Sequence, residues 1–404
     1  LFQSPIFTGT DKGCSTQDNG RHVIWVQSSF TDIDHGVVAS GDYGFRYTDS
    51  AGNLSYNTIS TDCNGIDING RRSMLSTDYQ LEVFGNAITT ADNSPVTAYD
   101  AAYALISSNT MSGAEQASGI QVVSDPYTGP TEVRITNNDI GPITGYNGIW
   151  GVGSFDMMVD NNTIHEINRE PIIVGEYHYT DSGWQVSSPH PARATIVDNV
   201  ITNVTGTCDS DKVWGESFAC PAFHVYRSSA TIKRNNVSEI AGDAIRAVGS
   251  LIDVQDNDFS VAGEGAKVVD HKHEYTSLAF FSGNNWIDVA EIVYNVTKSS
   301  VTVQSETIPS LSGGGAMPIQ LVWDRGQAYE YNNWDNKVLL PPTTSMPPLD
   351  FPLSLQAANN STVFTYANMS GLSLSKILIT SCGSAPAFAK SLAALNVSLL
   401  ACLN

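Results

Sequence analysis

The sequence predicts an all-β fold wound into stacked coils, and three observations carry that expectation. A phrase of Asn, any residue, then an apolar residue recurs through the middle of the chain. The segments before each Asn are short and β-rich. A second short strand follows each Asn about ten residues later.

The phrase occurs at Asn86-Ala87-Ile88, Asn109-Thr110-Met111, Asn138-Asp139-Ile140, Asn162-Thr163-Ile164, Asn199-Val200-Ile201, Asn236-Val237-Ser238, Asn257-Asp258-Phe259 and Asn285-Trp286-Ile287. The sixth is imperfect, with Ser238 in the apolar place. Five of the seven spacings fall between 21 and 29 residues, and the two on either side of Asn199 are 37 each. Two insertions account for the excess, one at Glu176 to Arg193 and one at Gly206 to Pro221. A period in the low twenties is that of a solenoid. The segments TEVRIT, FDMMVD, RATIVD, SATIKR and SLIDVQ alternate or run apolar over four to six residues and never reach helical length. Each coil therefore reads strand, Asn turn, strand, turn, which is the pattern of a parallel β-helix. Asn suits the turn because it tolerates left-handed backbone angles, and stacked Asn side chains can hydrogen-bond from coil to coil as a ladder. Gly at the second turn serves the same steric end.

The coils ITNNDI…NGIWGVG and IKRNNVSEIAGDAIRAVGSLIDVQDNDF resemble right-handed parallel β-helices of the pectin-lyase-like superfamily, over roughly Leu81 to Ile287. The resemblance implies fold more than function. That superfamily holds polysaccharide lyases, glycoside hydrolases, uronan epimerases, phage tailspikes and non-catalytic surface proteins.

This divides the chain into residues 1–80, an irregular N-terminal cap with the first coils; 81–287, the β-helix core; 288–339, last coils or a small β region; and 340–404, a Pro-rich linker and a disulfide-stapled C-terminal segment. In that last segment Phe388, Leu392, Leu395 and Leu399 have helical spacing, so the expectation there is a short helix.

The 404 residues are 41% hydrophobic and 15% charged, ample for a large core. With 20 Lys+Arg against 41 Asp+Glu, the formal charge is −21, which argues against nucleic acid and anionic membranes as partners. No run of about 18 apolar residues is present, so no membrane span is expected. No basic-then-apolar start is present either, so the expectation is a chain whose signal peptide has been removed. Six cysteines, Cys14, Cys63, Cys208, Cys220, Cys382 and Cys402, allow fifteen pairings, of which nearest-neighbour pairing is one. Sequons stand at Asn53, Asn161, Asn203, Asn236, Asn295, Asn359, Asn360, Asn368 and Asn396. An even cysteine count and sequons together point to a secreted glycoprotein.

Strand alternation places Trp150, His224, Arg246 and Lys267 on the outside of the second strand, with Tyr226 two residues beyond His224. Stacking would set His224, Arg246 and Lys267 about 5 Å apart on one face. Glu176, His178, Arg227 and the run Asp270 to Glu274 would form its rim. Uronan lyases and epimerases remove a proton beside a carboxylate; they need a cation to neutralise that carboxylate and a proton-exchanging group near the carbon. Arg246 and Lys267 fit the first role and His224, Tyr226 or His271 the second. The series of carboxylates that polygalacturonases carry is absent, as is the Arg-x-Pro-x-x-Arg element of pectate lyases. No cofactor is required and no metal centre is expected, though calcium is chemically compatible with turn carboxylates such as Asp253, Asp256, Asp258 and Glu264. The expected partner is a polysaccharide or cell-surface glycan, bound or processed outside the cell. The alternative is a non-catalytic coat, filament or adhesion subunit, for which self-association is open.

Overall fold

In the computed structural model the described residues are 22–27, 30–40, 43–70, 81–101, 103–124, 131–153, 155–175, 192–208, 218–269, 277–289, 292–297 and 299–304, together with short strands within 2–8, 178–185 and 317–401. They contain strands and turns and no helix. The chain divides into two compact units, residues 1–224 with 228–230 and residues 225–227 with 231–404, and each is described by itself.

Both units are wound from one kind of coil: strand A, a tight turn, strand B, a second turn, strand C. In the first unit, sheet A includes Gly52–Ser55, Leu81–Phe84, Ala104–Ser107, Thr131–Thr136 and Phe155–Asp160. Sheet B includes Thr58–Thr61, Ala87–Thr90, Thr110–Gly113, Asp139–Ile143 and Thr163–Ile167. Sheet C includes Ile66–Asn69, Val96–Tyr99, Ile120–Ser124, Ile149–Gly153 and Ile172–Gly175. Every neighbouring pair in these sheets is parallel. The second unit repeats the plan with Leu251–Gln255 and Leu278–Ser282 in A, Asp258–Val261 and Asn285–Val289 in B, and Ile245–Val248 and Ala266–Val269 in C.

A coil thus has three strands where the sequence suggests two. Strand B begins directly after the Asn and is short: Ala87–Thr90 buries Ile88 and Thr90 only. One inward apolar residue is too little alternation to read as a strand. The segment 1–80 is also more regular than expected, since Val37, Phe45 and Leu54 pair in register with Thr58, Ile66 and Val83. In the second unit Leu399 does not join a helix. It pairs with Ile379 in a parallel strand, Ser398–Ala401, because an adjacent strand edge offers backbone partners that apolar spacing does not reveal. Phe388, Leu392 and Leu395 lie outside the described residues.

The Asn ladder is present, and it differs from the sequence reading in two ways. Each Asn Nδ2 donates to the Oδ1 of the Asn one coil on: Asn57 to Asn86, Asn86 to Asn109, Asn109 to Asn138 and Asn138 to Asn162, each 2.9 Å, and Asn162 to Asn199, 3.0 Å. The second unit has its own run, Asn235 to Asn257 at 2.9 Å and Asn257 to Asn284 at 2.8 Å. The members are therefore Asn235 and Asn284, not Asn236 and Asn285. The shift by one explains the imperfect sixth site, because Asn235-Asn236-Val237 keeps the apolar place. The second difference concerns the left-handed residue. It is the one before the ladder Asn: Tyr56, Ser108, Asn137, Asn161, Asp198, Arg234 and Asp256 have φ between 52° and 57°, or Gly stands there at positions 85 and 283. The Asn itself is chosen for its amide, which joins coils, and not for backbone tolerance.

The second turn ends at a tight approach between coils. At Gly148 an added Cβ would meet the Pro171 carbonyl oxygen at 2.7 Å, and at Gly265 it would meet the Trp286 ring at 2.8 Å. That is a demand for small volume and not for positive φ. Inside the second unit Phe259 stacks on Trp286 at 4.6 Å, and the buried indole N–H donates to the Tyr294 hydroxyl at 2.9 Å.

Cys208 and Cys220 form a disulfide, as nearest-neighbour pairing expects, and Cys63 is disulfide-bonded as well. Cys14, Cys382 and Cys402 lie outside the described residues.

Two adjacent residues test this account with opposite signs. Asn109→Ala removes the acceptor of the Asn86 backbone N–H and the donor to the Val83 carbonyl, both buried. Denaturant unfolding should show a loss of about 3 kcal/mol or more. Ser108→Gly, at φ 57° on the surface, should be neutral or stabilising by about 1 kcal/mol, because glycine pays no left-handed penalty.

Candidate functional site

The chemistry gathers at one position of the coil, the last residue of the turn before strand C. In the first unit Gly119 N–H donates to Asn147 O, and Gly148 N–H donates to Glu170 O, so Ser118, Asn147 and Glu170 occupy equivalent places on successive coils. In the second unit Ala244 N–H donates to Glu264 O, which aligns Asp243 with Glu264 in the same way. The residue that follows is Gly, Ala or Pro, which is the small-volume requirement described above. Stacking brings the side chains at this position together whatever their charge.

In the second unit this produces two carboxylates side by side. Asp243 Oδ1 accepts a hydrogen bond from the Glu264 backbone N–H at 3.0 Å. Burial pushes the Asp243 carboxyl up, and the neighbouring Glu264 charge adds to the effect, while the Glu264 N–H, Lys267 and Arg246 offset it; the net value is about 6. Glu264 Oε1 accepts from the Asn295 side-chain amide at 2.7 Å. Glu264 Oε2 and Asn295 Oδ1 are buried and have no hydrogen-bond donor. Arg246 stands in register with Lys267, and Lys267 with Asn295, on the outer side of sheet C.

The first unit holds a second cluster. Glu170 accepts from the Asn147 side-chain amide at 2.9 Å through Oε2 and contacts His224 Nδ1 at 3.1 Å through Oε1. Glu170, His224 and Asn147 are all buried. The carboxylate oxygen and the two disulfide sulfurs of Cys208 and Cys220 lie within 4.8 Å of one another.

The structure places the sequence-predicted residues as follows. Arg246 and Lys267 do stand on successive coils of one face. The solvated ladder expected there is not what forms: Arg246 is 6% exposed, His224 7% and Tyr226 1%. Tyr226 points outward by alternation and is nevertheless covered, so pointing out of the coil does not place it in water. Lys267 is half-buried, as are Trp150 and Arg227. Trp150 sits in register between Gln121 and Ile173 on sheet C of the first unit. His178 lies in a two-strand antiparallel ladder opposite Gln185. Glu176 and His271 lie outside the described residues.

Of the sequons, Asn161, Asn203 and Asn236 are exposed and Asn53 is half-buried. Asn295 is 9% exposed and its amide is committed to Glu264, so it is not open to a glycan in this folded form. Asn359, Asn360, Asn368 and Asn396 lie outside the described residues. Among the carboxylates named for calcium, Glu264 is in the cluster and Asp253 accepts from the Gln255 side chain at 2.8 and 2.9 Å.

Sequence reasoning missed Asp243, Glu170 and the role of Glu264. It followed strand alternation, which governs residues inside strand C, and passed over the turn residue just before the strand. The available signal was an acid two places ahead of the first buried residue of strand C, at Asp243-Ala244-Ile245 and Glu264-Gly265-Ala266.

Residues 74–259 match the family described as right handed beta helix region. Searches of curated proteins and of solved structures returned no match. Together with three sheets of parallel strands, the family match shows a right-handed parallel β-helix of the kind found in the pectin-lyase-like superfamily. The domain is one that carbohydrate-active and structural proteins share.

The Asp243 carboxyl should leave a mark on stability. Its folded value, about 6, lies above the ordinary 3.8, so the folded chain holds the proton more tightly than the unfolded chain. Stability should fall as pH rises through that window, by on the order of 3 kcal/mol, and remain lower above it. Asp243→Asn should remove this slope in unfolding curves taken between the two values and leave the rest of the pH profile unchanged.

Proposed function

We propose that this chain binds and processes a polysaccharide outside the cell, with Asp243 as proton donor and Glu264 as its partner carboxylate in glycosidic-bond hydrolysis. The observation that carries the proposal is the Asp243 carboxyl at about 6 beside Glu264 on the next coil. Hydrolysis of a glycosidic bond needs one carboxyl that keeps its proton near neutrality and a second that works ionised, and their different surroundings separate the two roles. Glu264 Oε2 and Asn295 Oδ1 supply acceptors without donors, and sugar hydroxyls are donors.

This favours hydrolysis over uronan lyase or epimerase chemistry. Those reactions need cations free to neutralise a substrate carboxylate, and here Lys267 and Arg246 already act on Asp243. Two of the three proton-exchanging groups expected for them, His224 and Tyr226, are buried. The net charge of −21 also disfavours an anionic substrate. Secretion is supported by the Cys208–Cys220 disulfide and by the exposed sequons at Asn161, Asn203 and Asn236.

A non-catalytic surface subunit is the second reading, and one observation favours it. Leu251 and Leu278 are 58% and 51% exposed and lie side by side in register on sheet A of the second unit. Such a pair suits contact with another chain.

The purified chain should be incubated with neutral glycans and with uronans, and assayed for new reducing ends and for the ultraviolet absorbance of new double bonds. The expected result is reducing ends without double bonds, with activity lost as pH rises past about 6. Asp243→Asn and Glu264→Gln should each lower the rate by about 100-fold or more while the far-ultraviolet circular dichroism stays unchanged. Double bonds formed on uronans would restore the lyase reading. Absence of any turnover, with concentration-dependent self-association lost in Leu251→Asp, would favour the surface subunit.

A further inference from the structure

The Cys208–Cys220 hairpin of the first unit has a second use. We infer that, once its disulfide is reduced, the two thiolates, Glu170 and His224 form a zinc site. Three of the four donors are already gathered: the two sulfurs and a Glu170 oxygen lie within 4.8 Å of one another and all three residues are buried. His224 is the fourth, placed beside this group by its contact with Glu170, Nδ1 to Oε1 at 3.1 Å. Two thiolates with a His and a carboxylate is a donor set that suits tetrahedral Zn²⁺, with zinc–sulfur bonds of about 2.3 Å and shorter bonds to nitrogen and oxygen. Asn147 donates to the other Glu170 oxygen at 2.9 Å and so orients the carboxylate as an outer partner would.

The placement does not depend on the sulfur–sulfur bond alone. Thr207–Cys208 and Phe218–Ala219 form an antiparallel ladder, with Cys208 opposite Phe218, and Cys220 N–H donates to Gly206 O at 3.4 Å. Backbone pairing therefore holds the two cysteines near each other after reduction. While the disulfide stands, the sulfurs carry no thiolate charge and the site has no strong ligand for zinc.

The chemistry balances with a dithiol as reductant. One thiolate of the dithiol attacks a sulfur of the Cys208–Cys220 bond and forms a mixed disulfide. The second thiol of the reductant displaces the protein sulfur, leaving two protein thiols and one oxidised, cyclised reductant, with two electrons transferred. Zinc then binds as the two thiols release their protons. The hairpin would thus be closed by a covalent bond in oxidising surroundings and by a metal in reducing ones.

The test uses the full chain reduced with dithiothreitol, desalted without oxygen and titrated with Co²⁺ as a spectroscopic stand-in for zinc. The expected result is one equivalent of cobalt with thiolate-to-cobalt charge-transfer absorption and the visible bands of a tetrahedral ion. The signal should be absent in the oxidised chain and in Cys208→Ser/Cys220→Ser, which keeps the other four cysteines. Glu170→Gln should weaken binding about tenfold or more, and excess Zn²⁺ should displace the cobalt. Equal absorption in the double serine variant would overturn the inference by moving the metal to other thiols. No absorption in the reduced chain, whether it keeps its circular dichroism or loses it, would overturn it too.

Discussion

Everything in this molecule rests on the hydrogen bond from one asparagine side chain to the next asparagine one coil away. A parallel coil has no turn that fixes its register against its neighbour, because consecutive coils are joined by a full circuit of chain. Backbone ladders alone would accept a slip. The ladder Asn does not, since its Nδ2 must reach both a backbone carbonyl on the preceding coil and the Oδ1 of the following Asn. Asn138 meets both conditions, bonding Ile106 O and Asn162 Oδ1 at 2.9 Å each. A slipped coil would bury an amide and a carboxamide without partners, at about 1–3 kcal/mol for each group. Insertions are tolerated because they enter elsewhere in the coil: between Asn162 and Asn199 the chain takes 37 residues and still returns to a 3.0 Å bond.

Fixed register has a chemical consequence. Once coils are superposed, whatever occupies a given turn position meets its equivalent on the next coil. Ladder positions use this to pair amides, where donor meets acceptor. The turn before strand C uses it to set Asp243 against Glu264, where like meets like. Repulsion and burial then keep one proton on the pair up to about pH 6. At the same coil position in the first unit, Asn147 and Glu170 pair donor with acceptor instead, and no such tension arises. The proposed acid pair and Glu170 of the proposed metal site take the same place in the coil, each within its own unit.

The fold was legible in the sequence because the ladder is made of one residue type at a nearly constant spacing. What was lost had particular physical causes. Asn235 was mistaken for Asn236 because two asparagines stand together and only the strand register distinguishes them. Strand B escaped notice because in the earlier coils its inward face holds one apolar residue, Ile88 or Met111, and where it holds two, Ile140 and Ile143, they are three apart and break the alternation of two. The left-handed position was credited to the Asn because Asn tolerates it well, whereas the structure assigns it to residues as varied as Tyr56, Ser108 and Arg234. For the site, alternation assigns His224 and Arg246 to the outer side of sheet C, but it cannot say what covers that side. Burial of Tyr226 at 1% exposure is a tertiary fact that no strand pattern contains.

The most direct measurement of the central claim is hydrogen exchange at the backbone amides of Asn86, Asn109, Asn138 and Asn162. Each donates to the Oδ1 of the Asn one coil on, at 2.9 to 3.0 Å. If the ladder holds the coils in register, these four amides should be among the slowest in the chain and exchange together, with one opening free energy equal to that of the whole first unit. Exchange of the four at separate rates, each faster than global unfolding of the unit allows, would contradict the account.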